Sequence, residues 1–188
     1  ALDGLGLIYI SYYNSSKDEL NFLHKTNTPP NPWKFYVIDS AGKVGYFNSL
    51  ALTTANEPRI AYYDVDKGDL KYATATWNAG GYWDFTTEIV DSTYDVGRYA
   101  SLALDGSNNP HISYFDATHG DLLFAYKNGG AWMTYTVDTE GWVGLFTSLV
   151  LDSTGNPHIS YYDASLGELK YATTALPLNY FFLPLIMK

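Results

Sequence analysis

A short element, Tyr-Tyr-Asp or a close variant of it, occurs four times in the 188 residues of this chain. The copies are Ser11-Tyr-Tyr-Asn14, Ala61-Tyr-Tyr-Asp64, Ser113-Tyr-Phe-Asp116 and Ser160-Tyr-Tyr-Asp163, at spacings of 50, 52 and 47 residues. A period near 50 residues is typical of repeat architectures, in which each repeat is one small unit that packs against its neighbours. The repeat therefore has to be explained before any single residue is assigned a catalytic role.

Each unit divides into four short segments separated by Gly, Asn, Asp and Pro. The first segment is clear as Ser49–Leu52, whereas only Ala1–Asp3 remains of it in the first unit. The second runs through the tyrosine pair and the third is represented by Asp69–Ala73. The fourth begins at a tryptophan, as Trp33–Asp39, Trp83–Asp91 and Trp132–Asp138. Alternation with a period of two over such lengths predicts strands, so each unit is predicted to be a four-stranded antiparallel meander.

A single meander of this size cannot bury both of its faces, so the units must stack. Blades of four antiparallel strands with about 40 to 50 residues each favour a β-propeller over a linear solenoid. The sequence therefore predicts an all-β fold, a β-propeller of four blades in a single domain spanning 1–188. The predicted repeats are about 1–47, 48–99, 100–146 and 147–188.

This pattern resembles that of secreted bacterial β-propeller repeat proteins, over residues 1 to about 175. The resemblance rests on the run Asn156-Pro-His-Ile-Ser-Tyr-Tyr-Asp163 and on Glu168-Leu-Lys-Tyr-Ala172, with their counterparts in the other units. It implies that segment one lines a central channel and that segment four forms the outer edge of each blade.

The fourth unit has no tryptophan-led segment four, and the tail of the chain begins where that segment is due. Residues 176–188 are therefore predicted to form an atypical C-terminal strand, and Pro184 is acceptable there because an outer strand is an edge strand. Two placements remain open: the tail completes its own blade and so gives a closed four-bladed ring, or it adds a strand to a neighbouring molecule. The residues predicted to act in blade closure or assembly are Tyr180, Phe181, Phe182, Leu183 and Leu185.

Composition excludes several classes of partner. The net charge of −9 and the pI near 4.6 argue against nucleic acid, because affinity for phosphates depends on clustered Lys and Arg. No apolar run approaches the roughly 20 residues of a membrane helix, so no transmembrane segment is expected. The chain has no cysteine, which excludes disulfides and thiolate chemistry. No cofactor is expected, because no phosphate-cradling loop occurs.

Four side chains occupy equivalent positions at the start of segment two: Tyr9, Arg59, His111 and His158. One interpretation is structural, since each begins a strand and a catalytic residue is needed only once. The other is a ring of polar and aromatic groups near the mouth of a propeller that contacts a ligand. Trp142 joins this low-ranked ligand-binding set because it lies on a connection between units, where an aromatic ring could stack on a sugar.

The aspartates at the end of segment two, each followed by a glycine four residues later, predict tight turns. Asp64, Asp66 and Asp69 also resemble a calcium loop in a loose way, without the flanking helices and distal glutamate of an EF-hand. We therefore predict no metal site, with these three residues as a weak calcium candidate.

The acidic residues argue against an enzyme, because a glycosidase needs two carboxylates in different environments and most acids here repeat at turns. We predict a non-catalytic extracellular or cell-surface propeller that serves as a structural or interaction module and assembles with itself into oligomers or filaments. The alternative is a lectin-like propeller that binds glycans.

Overall fold

A computed structural model describes residues 1–27, 30, 32–127, 129–174 and 182–186 of the chain. These residues form fifteen β-strands and no helix. The strands are β1 (Tyr9–Asn14), β2 (Glu19–Lys25), β3 (Trp33–Asp39), β4 (Val44–Leu52), β5 (Pro58–Asp64), β6 (Asp69–Trp77), β7 (Trp83–Asp91), β8 (Val96–Leu104), β9 (Pro110–Asp116), β10 (Asp121–Lys127), β11 (Trp132–Asp138), β12 (Val143–Leu151), β13 (Pro157–Asp163), β14 (Glu168–Thr174) and β15 (Phe182–Ile186). Nothing among the described residues could cross a membrane as a helix.

The strands form four antiparallel sheets within this described part, in the order β1-β2-β3, β4-β5-β6-β7, β8-β9-β10-β11 and β12-β13-β14-β15. Each sheet is one blade, so the all-β propeller architecture of four blades predicted from the repeat is confirmed. The first blade has three strands, and an isolated bridge between Leu2 and Ile8 stands where its inner strand would pair. This agrees with the expectation that only Ala1–Asp3 remains of that segment.

Segment four has the bounds predicted from the tryptophans in all three blades where it was assigned. The inner strands, in contrast, begin at Val44, Val96 and Val143, several residues before the predicted repeat boundaries. Each contains a bulge in which a glycine is followed two residues later by an aromatic residue, both with positive φ. A bulge breaks the alternation of period two, so the sequence pattern hides the first half of these strands.

The C-terminal tail completes the fourth blade. Strand β15 pairs antiparallel with β14, with Tyr171 opposite Leu185 and Thr173 opposite Leu183. Of the two placements that the sequence leaves open, the structure has the tail in its own blade. Phe182 also lies in β15, whereas Tyr180 and Phe181 lie outside the described residues.

Apolar cores lie between successive blades. Leu20 and Phe22 of the first blade pack with Ile60 and Tyr62 of the second, and the later pairs of blades repeat this contact. At each of these cores a tyrosine donates a buried hydrogen bond of 2.7–2.8 Å to an aspartate of the preceding blade, where that blade's outer strand ends. The pairs are Tyr62 and Asp39, Tyr114 and Asp91, and Tyr161 and Asp138. Burial of these hydroxyls and the facing carboxylates raise the pKa of all three tyrosines. The blades are thus joined by apolar contact and by one repeated hydrogen bond.

Candidate functional site

The hairpin between β6 and β7 departs from the repeat. Both strands have nine residues, whereas the corresponding strands of the first and third blades have seven. The extension makes Trp77 and Trp83 direct cross-strand partners, with ring centroids 4.8 Å apart in an edge-to-face arrangement. Asn78 holds the turn, because its side-chain oxygen accepts hydrogen bonds from the backbone N–H groups of Gly80 and Tyr82. The ring of Trp77 is consequently held in place although 51% of the residue is exposed.

The extended hairpin forms one wall of a cavity of about 390 Å³ between the first and second blades, here named the Trp77 cavity. Its lining residues are Leu7, Tyr9, His24, Lys25, Thr26, Asn27, Ala55, Asn56, Trp77 and Trp83. Aromatic rings and neutral hydrogen-bonding groups dominate this set, and it contains no carboxylate. A volume of this size suits a small organic ligand or one or two sugar rings.

Two groups in the Trp77 cavity have unusual environments. The indole N–H of Trp83 is buried and has no hydrogen-bond partner among the described residues. The imidazole of His24 is buried beside the rings of Trp77 and Trp83, at centroid distances of 6.1 Å. Burial, assisted by the nearby charge of Lys34, lowers the pKa of His24, so this ring is neutral at pH 7. A neutral imidazole both donates and accepts a hydrogen bond, as a hydroxyl ligand requires.

The four equivalent positions at the start of segment two lie on four different blades. Tyr9 lines the Trp77 cavity, whereas Arg59, His111 and His158 do not. Arg59 donates hydrogen bonds to Glu57 and to the backbone oxygen of Ala75, both within its own blade.

The two histidines also have partners within their own blades. His111 is partly buried 3.7 Å from Asp105, and its burial lowers its pKa against the opposing effect of that carboxylate. His158 contacts Asp152 at 3.5 Å and the hydroxyl of Tyr171. These contacts agree with the structural interpretation of the position, in which each side chain serves its own blade.

Trp142 lies at the other end of the strands from Tyr9. Its backbone N–H donates to Ser165 at 2.7 Å, and its ring meets Phe115 edge-to-face at 5.5 Å. The ring also covers Gly120, where an added Cβ would come within 2.5 Å of it. Although 43% of Trp142 remains exposed, the structure gives it a packing role against the preceding blade and separates it from the Trp77 cavity.

The aspartates of the calcium candidate are used in turns and interblade contacts. Asp64 accepts hydrogen bonds from the backbone N–H groups of Asp66 and Lys67, and Gly68 follows with a φ of +73°. Asp66 accepts a hydrogen bond from the backbone of Lys43, in the connection that leads into the second blade. Asp64, Asp66 and Asp69 do not come together as a metal-binding group, and the described part of the chain contains no other group of three such ligands.

A second cavity, of about 340 Å³, is acidic. Asp91, Asp116, Asp121 and His119 contribute to its lining. The imidazole of His119 lies 2.7 Å from Asp116, and this hydrogen bond raises the pKa of His119. Burial and the charge of Asp116 raise the pKa of Asp121. Asp91 and Asp116 belong to the repeated interblade and turn contacts, which accounts for their burial.

Sequence reasoning missed His24, Trp77 and Trp83 as members of a site. A signal was present in the sequence. Trp77 falls outside the register of Trp33, Trp83 and Trp132, which begin the outer strands, and the spacing from segment three to segment four is longer in the second unit than in the third. The cavity also requires the first blade to approach the second, which no local pattern predicts.

No family model matches the sequence, and no curated protein sequence is detectably similar to it.

Among solved structures, a fucose lectin from Kordia zhangzhouensis in complex with methyl-fucoside is 18% identical to this chain, with a TM-score of 0.45. The match covers 73% of this chain and 96% of the lectin chain. A bifunctional GH43-CE protein from Bacteroides eggerthii is 13% identical with a TM-score of 0.53, and covers 96% of this chain. This chain spans 24% of that protein. An endo-arabinase from Bacteroides thetaiotaomicron is 13% identical with a TM-score of 0.51, covering 93% of this chain and 72% of its own. At these identities the two Bacteroides structures support the fold alone.

Proposed function

We propose that this chain is a non-catalytic, carbohydrate-binding β-propeller that acts outside the cell or at its surface, and that its binding site is the Trp77 cavity. The observation that carries the proposal is the half-exposed Trp77 ring, packed against Trp83 and His24 and set beside neutral hydrogen-bonding groups. The apolar face of a pyranose stacks on such a ring, while its hydroxyl groups exchange hydrogen bonds with the surrounding polar side chains.

Apart from Lys25, the polar groups that line the cavity are neutral, which suits an uncharged sugar. Asn27 and Asn56 each offer an amide that both donates and accepts hydrogen bonds, and the neutral His24 does the same. The indole N–H of Trp83 is a donor that still lacks a partner. A sugar hydroxyl that accepted from this N–H would offset the cost of its burial.

The lining of the Trp77 cavity supports binding without hydrolysis. Glycoside hydrolysis needs a general acid and a second carboxylate on the two sides of the scissile bond. The described residues that line the Trp77 cavity include no Asp or Glu, so a bound glycan would meet no such pair among them. Self-association, the other interaction that the sequence predicts, would use different surfaces, the free faces of the first and last blades.

The proposal is tested by glycan-array screening of the pure protein, followed by titration calorimetry with the best glycan. Trp77→Ala should weaken binding at least about tenfold, because truncating a buried aromatic contact in a binding site commonly costs about 1.4 kcal/mol or more. Trp142→Ala is the matched control: it removes another half-exposed tryptophan, at the far end of the blades, and should leave the affinity unchanged.

Two results would contradict the proposal. One is a protein that binds no glycan on the array although its circular dichroism shows folded β-structure. The other is an equal loss of affinity in the two tryptophan variants. Turnover of the bound glycan in a glycosidase assay would contradict the non-catalytic part alone.

A further inference from the structure

The face of the fourth blade that points away from the third blade is uncovered at a leucine position that is buried in every other blade. Leu169 is 61% exposed, whereas its equivalents Leu20, Leu70 and Leu122 are each 0% exposed. Tyr162 is likewise partly exposed, while its equivalent Phe115 is buried. The leucine position thus marks one repeated surface, which is covered in three blades and open in the fourth.

In the first three blades this surface is covered by the next blade, through a close glycine contact and, in the second and third blades, a hydrogen bond to a serine. Gly97 lies so close to Leu70 that an added Cβ would be 2.8 Å from the leucine Cα, and Gly45 and Gly144 approach Leu20 and Leu122 in the same way. The hydroxyl of Ser101 accepts a hydrogen bond of 3.0 Å from the backbone N–H of Leu149 in the next blade, and Ser49 does the same for Leu102. On the fourth blade the equivalent Ser148 is exposed, and Phe146 and Val150 beside it are exposed as well.

The first blade has the opposite face free. The tyrosines that meet the preceding blade are fully buried in the later blades, but their equivalent Tyr12 is only partly buried and meets Asn21 at 3.5 Å instead of a carboxylate. Phe35 and Val37 are exposed on the same blade, at 65% and 55%. A shallow cavity of about 260 Å³ lies among these four residues, and the side-chain oxygen of Asn21 is buried there without a partner among the described residues.

We propose that the free face of the fourth blade binds the free face of the first blade of a second copy of this chain, head to tail. Where two successive blades of the chain meet, the first of them contributes the face that carries the buried leucine and the second contributes the face that carries the buried tyrosine. The free faces of the fourth and first blades are the counterparts of these two faces. Both are rich in aromatic and aliphatic side chains, which is the composition of interface cores. The proposal goes beyond glycan binding and does not depend on the Trp77 cavity.

The association should depend on concentration. The first blade lacks the inner strand whose glycine approaches the leucine of the preceding blade, so the contact between copies is less complete than the contacts within one chain. A head-to-tail contact uses two different surfaces, and it therefore produces a closed ring or an open filament, according to whether the rotation between copies closes.

Sedimentation velocity of the wild-type protein over a wide concentration range tests the proposal. The wild type should form dimers and larger species as concentration rises. Leu169→Glu blocks the fourth-blade face and Phe35→Glu blocks the first-blade face, so each variant alone should stay monomeric. An equimolar mixture of the two keeps one intact pair of faces and should give a dimer that does not grow further. Leu166→Glu is the control, since it adds the same charge to an exposed turn residue of the fourth blade and should assemble like the wild type.

The other outcomes would overturn the proposal. A wild type that remains monomeric at every concentration shows that the faces do not bind a second copy. Dimers of Phe35→Glu together with monomeric Leu169→Glu indicate that two fourth-blade faces pair with each other. Assembly of both variants indicates that other surfaces hold the copies together. Because no glycan is present in these experiments, their failure would leave the proposed binding function intact.

Discussion

The Nζ atom of Lys170 lies 3.0 Å from Oδ2 of Asp138, an aspartate at the end of the preceding blade. The same ammonium group lies 3.2 Å from Asp163, so one buried cation faces two buried carboxylates across a blade interface. Burial alone would raise the pKa of Asp138, but hydrogen bonds from the backbone of Glu140, from Tyr161 and from Lys170 outweigh it and lower the pKa.

The third blade lacks this cation. Leu123 stands at the position of the lysine, and the corresponding carboxylates Asp91 and Asp116 are buried there without it. Replacing this leucine by lysine should supply the missing ammonium group, and we expect Leu123→Lys to raise the free energy of unfolding by about 1 kcal/mol at pH 7. Urea denaturation checks this. Leu123→Met, which adds no charge at this position, should show no comparable gain. A destabilised Leu123→Lys variant at pH 7 would contradict the expectation.

The second blade gives the converse test. Lys71 lies between Asp39 and Asp64, and its ammonium group hydrogen-bonds Asp39. Burial opposes ionisation of Asp39, but hydrogen bonds from Lys71, Tyr62 and the backbone of Ala41 outweigh burial and lower the pKa below its ordinary value of 3.8. A depressed folded-state pKa stabilises the fold above the unfolded-state pKa, and that contribution is lost as the pH falls through the folded-state pKa.

We therefore expect Lys71→Met to destabilise the protein by about 3 kcal/mol at pH 7, because it leaves buried carboxylates without their cation. The loss should be smaller at pH 3. Chemical denaturation at both pH values measures the difference. Lys17→Met, at an exposed turn of the first blade, is the control and should be neutral. An equal loss for Lys71→Met at the two pH values would mean that packing of the lysine stem, rather than its charge, stabilises the fold.

The bulge glycines predict a strong steric effect. Gly97 has a φ of +109°, and a Cβ there would lie 2.8 Å from the Leu70 backbone of the preceding blade. Gly97→Ala should destabilise the protein by about 2 kcal/mol or more, since both the backbone conformation and the space exclude a side chain. Gly106→Ala provides the comparison, because nothing lies within 4 Å of the Cβ position of Gly106. Thermal unfolding of the two variants should differ clearly, and similar melting temperatures would disagree with the described blade contact.

Deletion of residues 182–188 tests the tail. Removing β15 exposes the edge of β14, so the melting temperature should fall and the protein should aggregate more readily. Differential scanning calorimetry and light scattering report the two effects. A shorter deletion that keeps Phe182–Ile186 should preserve most of the stability. An unchanged melting temperature after the longer deletion would argue that the tail does not complete the fourth blade.

The sequence predicted the parts of the structure that repeat. Four similar meanders, tryptophans at the start of the outer strands and a glycine after each aspartate turn all follow from residues that recur at one spacing. The Trp77 cavity could not be predicted in that way, because it depends on a hairpin extension found in the second blade and on a wall supplied by the first. The uncovered Leu169 was equally hidden, since its sequence context matches that of its buried equivalents.

The tyrosine-to-aspartate hydrogen bond between blades has a consequence for how such a chain can grow. Tyr114 supplies the donor, while its acceptor, Asp91, belongs to the blade before it. The second and third blades therefore each carry the donor of one such bond and the acceptor of another, and a duplicate of either blade inserted after its original would find a matching group on both sides. Tandem duplication of the gene segment for one such blade could add a blade without new interface mutations. This gives a physical reason why blades of similar sequence follow one another in the chain.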